Sequence, residues 1–190
     1  EAREDLEETV ETPAAYEVSV VVVSYNSRKH LERLLPSLDD VPCDVSLETI
    51  VVDNGSIDDT GDVLARFPEV RVVSLARNRG FAGGVNAGIR ASRGEIVVLL
   101  NNDTECDPAW LQALADGLRS RPEAGMAASK LRLFDRRDVL HNAGDLVDPA
   151  GWPSNRGVWQ RDEGQFDDAR EVFAPCAAAA AYRRALFDDV

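Results

Sequence analysis

Cysteine is scarce in this 190-residue chain. Cys43, Cys106 and Cys176 are odd in number and far apart, which argues against a disulfide framework or a zinc knuckle and leaves isolated reduced thiols. Histidine is scarcer still, with only His30 and His141. A His-based zinc site therefore has too few ligands, and any metal would have to be held by oxygen. Basic residues are outnumbered 21 to 34, for a net charge of −13. That excludes the clustered Lys and Arg needed to displace counterions from a nucleic-acid backbone. Long hydrophobic runs are also missing: VSVVVV and EIVVLL fall far short of the roughly 20 residues that span a bilayer. No basic segment followed by an apolar one opens the chain, so no secretory signal is read. What remains is a soluble, cytoplasmic domain, long enough to bury a real core.

Residues 1–17 carry seven acids and one Arg. They have little apolar periodicity and read as a solvated, mobile arm. From Val18 the text changes. VSVVVV, ETIVVD, VRVVSL and EIVVLL are Val- and Ile-rich runs of the kind that suit strands buried on both faces of a parallel sheet. Helical patterns fill the gaps. Leu31, Leu34, Leu35 and Leu38 form an i, i+3, i+4, i+7 stripe, and Leu111, Leu114, Ala115 and Leu118 repeat it behind Asp107 as N-cap and Pro108. Val63, Leu64 and Phe67 give a weaker version, and Val85, Gly88, Ile89 and Ser92 put small residues on one helical face. The alternation over 18–121 predicts an α/β domain, a doubly wound and mostly parallel sheet flanked by helices. A further strand is expected in 125–134, and an irregular segment over 135–171.

In such sheets ligands bind outside the carboxyl ends of the strands. The four runs are followed by Ser24-Tyr25-Asn26, by Asp53-Asn54-Gly55-Ser56, by Arg77-Asn78-Arg79-Gly80, and by Asn101-Asn102-Asp103. Four polar ends on one edge predict a site. Asp103, a carboxylate between a buried strand and a helix with its own cap, has the hard oxygen chemistry of a Mg²⁺ or Mn²⁺ site that shares its ion with phosphates; the plainer alternative is a turn cap. Asp53 either caps the next helix or, with Ser56 or Asp58 in that role, accepts from a ligand N–H. The glycines at 80, 83, 84 and 88 do not match the dinucleotide spacing and are better read as close backbone approach of a helix. Trp152 and Trp159 read as packed loop anchors rather than as sugar-stacking platforms.

The series VSVVVVSYNS, ETIVVDNGSIDDT and LARNRGFAGGVNAGIRASRGEIVVLLNNDTECDPAWL resembles the inverting family-2 glycosyltransferases of the GT-A fold. It is most similar to the bacterial rhamnosyltransferase-like branch of polysaccharide and cell-envelope synthesis. The likeness is dense over 18–121 and looser to 187. It implies a GT-A, Rossmann-like domain over 18–190, with a nucleotide-sugar-binding half at 18–121 and part of an acceptor half at 122–190. A UDP- or dTDP-linked sugar would be the donor, and a glycan or lipid-linked molecule the acceptor, with a peripheral place at the inner face of the membrane compatible with both. By the same resemblance Ser24, Tyr25 and Asn26 would line the nucleoside, and Asp53 would bond the base. Arg77, Asn78, Gly80 and Asn86 would sit near the ribose and diphosphate. Asn101 and Asn102 would flank Asp103, which would bind the divalent cation.

Two departures from the family pattern stand out. The family's D-x-D is Asn101-Asn102-Asp103 here, keeping one carboxylate. The Glu-Asp pair that supplies the family's general base has no match, so the base is expected beyond Val190, with Asp145 and Asp148 as fallbacks inside the chain. Asp188 and Asp189 follow Arg183-Arg184-Ala185-Leu186-Phe187 at a terminus expected to fray, so neither is expected to be held rigidly. Two rival readings accompany this one: a non-catalytic nucleotide-sugar-binding fragment, and a sugar-1-phosphate nucleotidyltransferase. The second would need a Gly-rich, basic loop after the first strand, which Ser24-Tyr25-Asn26-Ser27 does not provide.

Overall fold

The computed structural model describes residues 16–39, 43–168 and 171–187. Four βα units come first: β1 (Val18–Ser24), α1 (Arg28–Asp39), β2 (Leu47–Asp53), α2 (Thr60–Leu64), β3 (Arg71–Ser74), α3 (Gly80–Ala91), β4 (Ile96–Asn101) and α4 (Trp110–Ser120). Short strands follow: β5 (Met126–Ala128), β6 (Leu131–Arg132), β7 (Leu140–Asn142), β8 (Asp145–Val147), β9 (Pro153–Asn155) and β10 (Ala179–Arg183), ending in a 3-10 turn at Arg184–Phe187. The main sheet has the order β3-β2-β1-β4-β10-β5. Its first four strands are parallel, and β10 runs antiparallel to both β4 and β5. The order reverses at β1, which lies between β2 and β4, so the switch point falls beside the end of β1.

Strand parity divides the core into two layers. Val18, Val20 and Val22 of β1 face α1 and α4, where Leu31, Leu34, Leu35, Leu38, Leu111, Leu114 and Leu118 are buried against them. Val21, with Ile50, Val52, Val97 and Leu99, faces α3. Each fully buried leucine contributes about 1.5–3 kcal/mol relative to exposure, which outweighs local propensity in fixing both amphipathic helices. On the other layer α3 lies unusually close. A Cβ on Gly84 would sit 2.6 Å from Val23 Cγ1, and one on Gly88 would overlap Val21 Cγ1. The glycines at these two positions therefore serve helix-to-sheet approach.

Several details differ from expectation. The strand expected in 125–134 is two short ones, because Ser129 and Lys130 turn aside to bind Trp110 and the pair Asp162 and Asp167. The alanine run becomes the interior strand β10, with Ala179, Ala180 and Ala181 buried beside β4. The arm read over 1–17 falls outside the described residues as far as position 15. Glu17, however, belongs to the folded domain: its N–H donates to the Ser46 carbonyl at 2.9 Å, and both carboxylate oxygens accept from Arg119 at 2.6 Å. Up to the terminus expected to fray, residues 183–187 are docked. Arg183 donates to the Leu118 and Ala124 carbonyls, Arg184 donates to the Gly94 carbonyl, and Phe187 packs on Tyr182. Asp188 and Asp189 lie outside the described residues. Helix α4 opens at Trp110 rather than directly after Asp107, whose Oδ1 accepts from the Ala109 N–H at 3.1 Å in the turn leading in. Among the described residues no helix is long and apolar enough to cross a membrane.

Candidate donor site at the strand ends

Parallel strands deliver their carboxyl ends to one edge, and hydrogen bonds stitch the four following loops together there. The Asn54 N–H donates to the Ser24 carbonyl at 2.8 Å, and the Leu75 N–H to the Asp53 carbonyl at 2.8 Å. The Asn26 N–H donates to Ser56 Oγ at 3.0 Å, while Asn26 Oδ1 accepts from the Ile57 N–H at 2.9 Å. Asn26 adopts φ +50° to do so, a conformation that asparagine tolerates better than most residues. Ser27 donates its N–H to Thr60 Oγ1 at 3.1 Å. In the turn leading into α2, Asp58 Oδ1 accepts from both the amide and the hydroxyl of Thr60. The hydroxyl bond holds that carboxyl below its ordinary range.

The loop after β4 is the most revealing. Asn102 Nδ2 donates to the Val23 carbonyl at 3.0 Å and to Ser27 Oγ at 2.8 Å. Thr104 Oγ1 donates to the Asn101 carbonyl at 2.7 Å. Glu105 takes both terminal nitrogens of Arg137, at 2.7 and 2.9 Å, and that guanidinium holds its carboxyl below the ordinary range. The Cys106 amide donates to Ser37 Oγ at 3.2 Å, and burial pushes its thiol up to about 12, so it is an inert packing residue. Between these pinned residues, the side chains of Asn101 and Asp103 have no partner among the described residues, and Asp103 is exposed. The backbone is fixed on both sides of a carboxylate that is left free.

The remaining predicted residues divide by what their side chains do. Tyr25 is 43% exposed, and Arg77 and Gly80 are also exposed. Asp53 spends Oδ1 on the Ser56 N–H at 2.9 Å, so one carboxylate oxygen remains for a ligand. Ser24 is fully buried, and its Oγ has no partner among the described residues; it lies beneath the edge. Asn26 and Asn78 commit the amide oxygen, and Asn102 the amide nitrogen, to the protein framework. Asn86 lies six residues into α3 and is exposed, with no hydrogen bond joining it to the others among the described residues.

Asn54 was not singled out by the sequence, yet it is the hub of this edge. It is 2% exposed, accepts from the Arg79 N–H at 2.9 Å, and donates to the Gly80 carbonyl at 3.0 Å and to Asn78 Oδ1 at 3.2 Å. The available signal was an amide, able both to donate and to accept, beside Gly55 in a tight turn. A Cβ on Gly55 would lie 2.7 Å from the Arg77 carbonyl carbon, and its φ is +80°. Only glycine lets the two loops approach so closely.

Each fallback acid, like Asp53, spends one carboxylate oxygen on the protein. Asp145 Oδ1 accepts from Asn142 Nδ2 at 2.6 Å, and Asp148 Oδ1 accepts from the Ala150 and Trp152 amides at 2.9 Å each. Trp152 and Trp159 are 72% and 67% exposed and are not the packed anchors expected. Arg156 stacked 4.4 Å above Phe166 and the buried Leu140 fill that role. A groove of about 980 Å³ runs between α4, β5 and Phe166–Asp168 with Glu171–Pro175, and none of the predicted residues lines it. The strand that lines it, β5, lies on the far side of β10 from β4 and runs parallel to β4.

No group of three or more metal-ligating side chains occurs among the described residues. A cation held by protein alone does not fit this edge. One carboxylate with a neighbouring amide oxygen does fit an ion that shares its remaining positions with water and phosphate.

Residues 19–190 match the sequence profile of Glycosyl transferase family 2. The chain belongs to that family. Among its curated relatives is the N-acetylglucosaminyl-diphospho-decaprenol L-rhamnosyltransferase of Mycobacterium tuberculosis, 32% identical over 126 residues, covering 60% of this chain and 40% of that protein. Solved glycosyltransferases share the fold. The mannosyltransferase PcManGT from Pyrobaculum calidifontis, in complex with GDP-Man and Mn²⁺, aligns over 93% of this chain and 47% of its own at TM-score 0.62 and 20% identity. Staphylococcus aureus TarS 1–349 with UDP-GlcNAc aligns over 91% and 47% at TM-score 0.65 and 21% identity. The chain spans about a third or less of the length of the curated relatives it matches first. This family-2 chain thus has the α/β, GT-A architecture expected from its sequence, including likeness to a rhamnosyltransferase.

Proposed function

We propose that this family-2 domain binds a nucleoside-diphosphate sugar across the ends of β1–β4 and serves transfer of that sugar to a glycan or lipid-linked acceptor in envelope or polysaccharide synthesis. The observation that carries the reading is the loop after β4, pinned at Asn102, Thr104 and Glu105 while Asp103 is left without a partner among the described residues. Tyr25 offers an exposed ring for a base to stack on, and the free oxygen of Asp53 is an acceptor for the N3–H of uracil or thymine. Arg77 supplies positive charge beside the diphosphate. Asp103, helped by Asn101, would hold a Mg²⁺ or Mn²⁺ ion, which when bound neutralises charge on the departing diphosphate. The acceptor would approach from the β10–β5 side, where the groove beside α4 lies. Residues 18–121 then form the donor half, and 122–190 contribute to the acceptor half. The sugar is rhamnose or a related hexose, transferred with inversion, and a lipid-linked acceptor would place the protein peripherally at the inner face of the membrane. The decaprenol-linked activity named for the mycobacterial relative supports the acceptor class.

The test is calorimetric. UDP and dTDP bind, and Asp53→Ala weakens both by about tenfold, the size expected from one charge-assisted hydrogen bond; GDP binds more weakly because the larger purine fits the edge less well, since guanine too offers an N–H to Asp53. Unchanged affinity for UDP and dTDP in Asp53→Ala would overturn the assignment of Asp53.

A further inference from the structure

Asn54 links two parts of the edge that the reading above treats separately. It follows Asp53 directly, and its buried amide reaches across to the turn at 77–80. There it takes the Arg79 N–H, donates to the Gly80 carbonyl, and braces Asn78 Oδ1, which in turn accepts from the Gly80 N–H at 2.7 Å. Its own backbone N–H is bound to the Ser24 carbonyl. One side chain therefore spans the ends of β2 and β3, while its main chain is tied to β1. The turn it holds carries Arg77 and Arg79 and leads into α3, whose first residue is Gly80.

From this we infer that Asn54 is a positioning residue: it fixes the 77–80 turn and so sets affinity for the diphosphate, leaving base recognition to Asp53 and Tyr25. The inference rests on the donor-site reading. An amide is required because the position needs an acceptor and two donations at once. Aspartate can meet the Arg79 N–H but cannot donate to Gly80 or Asn78, and it adds negative charge beside the turn. A buried donor or acceptor left unpaired is costly, so the turn would move to new partners rather than stay in place. Asp53, held by its own bond to the Ser56 N–H and by the β2–β3 ladder, does not depend on that amide.

The experiment compares uridine and UDP on the unaltered chain, Asn54→Ala and Asn54→Asp, by titration calorimetry with thermal melting alongside. UDP should weaken by about tenfold or more in both variants, as expected for losing two hydrogen bonds of the turn in Asn54→Asp and three in Asn54→Ala, and uridine should change by less than about twofold. Amide exchange at Arg79 should accelerate in Asn54→Ala and stay slow in Asn54→Asp, which keeps the acceptor. If Asn54→Ala fails to fold, the near-isosteric Asn54→Asp carries the test. Parallel loss of uridine and UDP, or no loss of either, would overturn the positioning role. If the unaltered chain binds neither, the donor-site reading itself fails, and this inference with it.

Discussion

Seating α3 against the sheet depends on the absence of a side chain at Gly88, and alanine at that position is the sharpest probe of the fold behind the site. Alanine favours a helix over glycine by about 1 kcal/mol, so on propensity alone Gly88→Ala stabilises. The structure predicts the opposite sign. The new Cβ would overlap Val21 Cγ1 and lie 3.1 Å from Val52 Cγ2. Both valines are essentially fully buried, and a β-branched side chain has few rotamers into which to retreat. Overpacking of this kind costs typically about 1–3 kcal/mol, and the double contact puts Gly88 toward the upper end. The net effect is a loss of about 1–2 kcal/mol, or about 3–6 °C in melting temperature for a chain of this size. Gly117 is the control. It lies in α4 with nothing within 4 Å of where an added Cβ would sit, so Gly117→Ala should gain about 0.5–1 kcal/mol. Urea unfolding followed by circular dichroism measures both. If the two substitutions shift stability in the same direction by similar amounts, the close approach of α3 is wrong, and the placement of the turn at its start is wrong with it.

Two further outcomes follow from side chains that the sequence left unassigned. Arg183 donates to the Ala124, Leu118 and Arg121 carbonyls at the end of α4, a favourable place for a cation. Arg183→Met should destabilise by about 2–3 kcal/mol in urea unfolding, and Arg183→Lys should recover less than half of that loss because it lacks the planar fork; an unchanged midpoint in Arg183→Met would refute the anchoring. Asp162, bound to Lys130 at 2.9 Å, is held below its ordinary pKa chiefly by that hydrogen bond. A depressed folded-state pKa contributes stability above the unfolded value of about 3.9 and loses it as pH falls through the folded one. Asp162→Asn should therefore reduce stability at pH 6 and flatten the acid limb below about pH 4; an unchanged acid limb would contradict the pair's contribution.

The parts of the fold legible in the sequence were those where burial is two-sided and periodic. The run VSVVVV became β1, and the Leu31 and Leu111 stripes became the buried faces of α1 and α4. β10 was not legible, because alanine has no strong strand preference and its conformation is imposed by β4 on one side and β5 on the other. The docking of 184–187 was hidden for a similar reason: it depends on Arg184 reaching carbonyl and hydroxyl partners some ninety residues away. At the candidate site, strand-end position was enough to place Asp53, Arg77 and Asp103 on one edge of the sheet. It could not show which side chains brace a neighbouring loop. Asn26, Asn78 and Asn102 look the same as Asn101 among polar loop residues, and only cross-loop hydrogen bonds separate them. Asn54 escaped notice because its partners lie about 25 residues away, across a helix and a strand.

The central claim is that Asp103 is held ready for a cation that a nucleoside diphosphate shares. The most direct measurement is calorimetric titration of UDP into the unaltered chain and into Asp103→Asn, each with Mn²⁺ and with excess chelator. Asparagine keeps the size and the neutral oxygen but removes the charge that a hard divalent ion needs. The account predicts that Mn²⁺ strengthens UDP binding to the unaltered chain by about tenfold or more, and that Asp103→Asn binds UDP equally with and without the metal. An unchanged metal response in Asp103→Asn would contradict it.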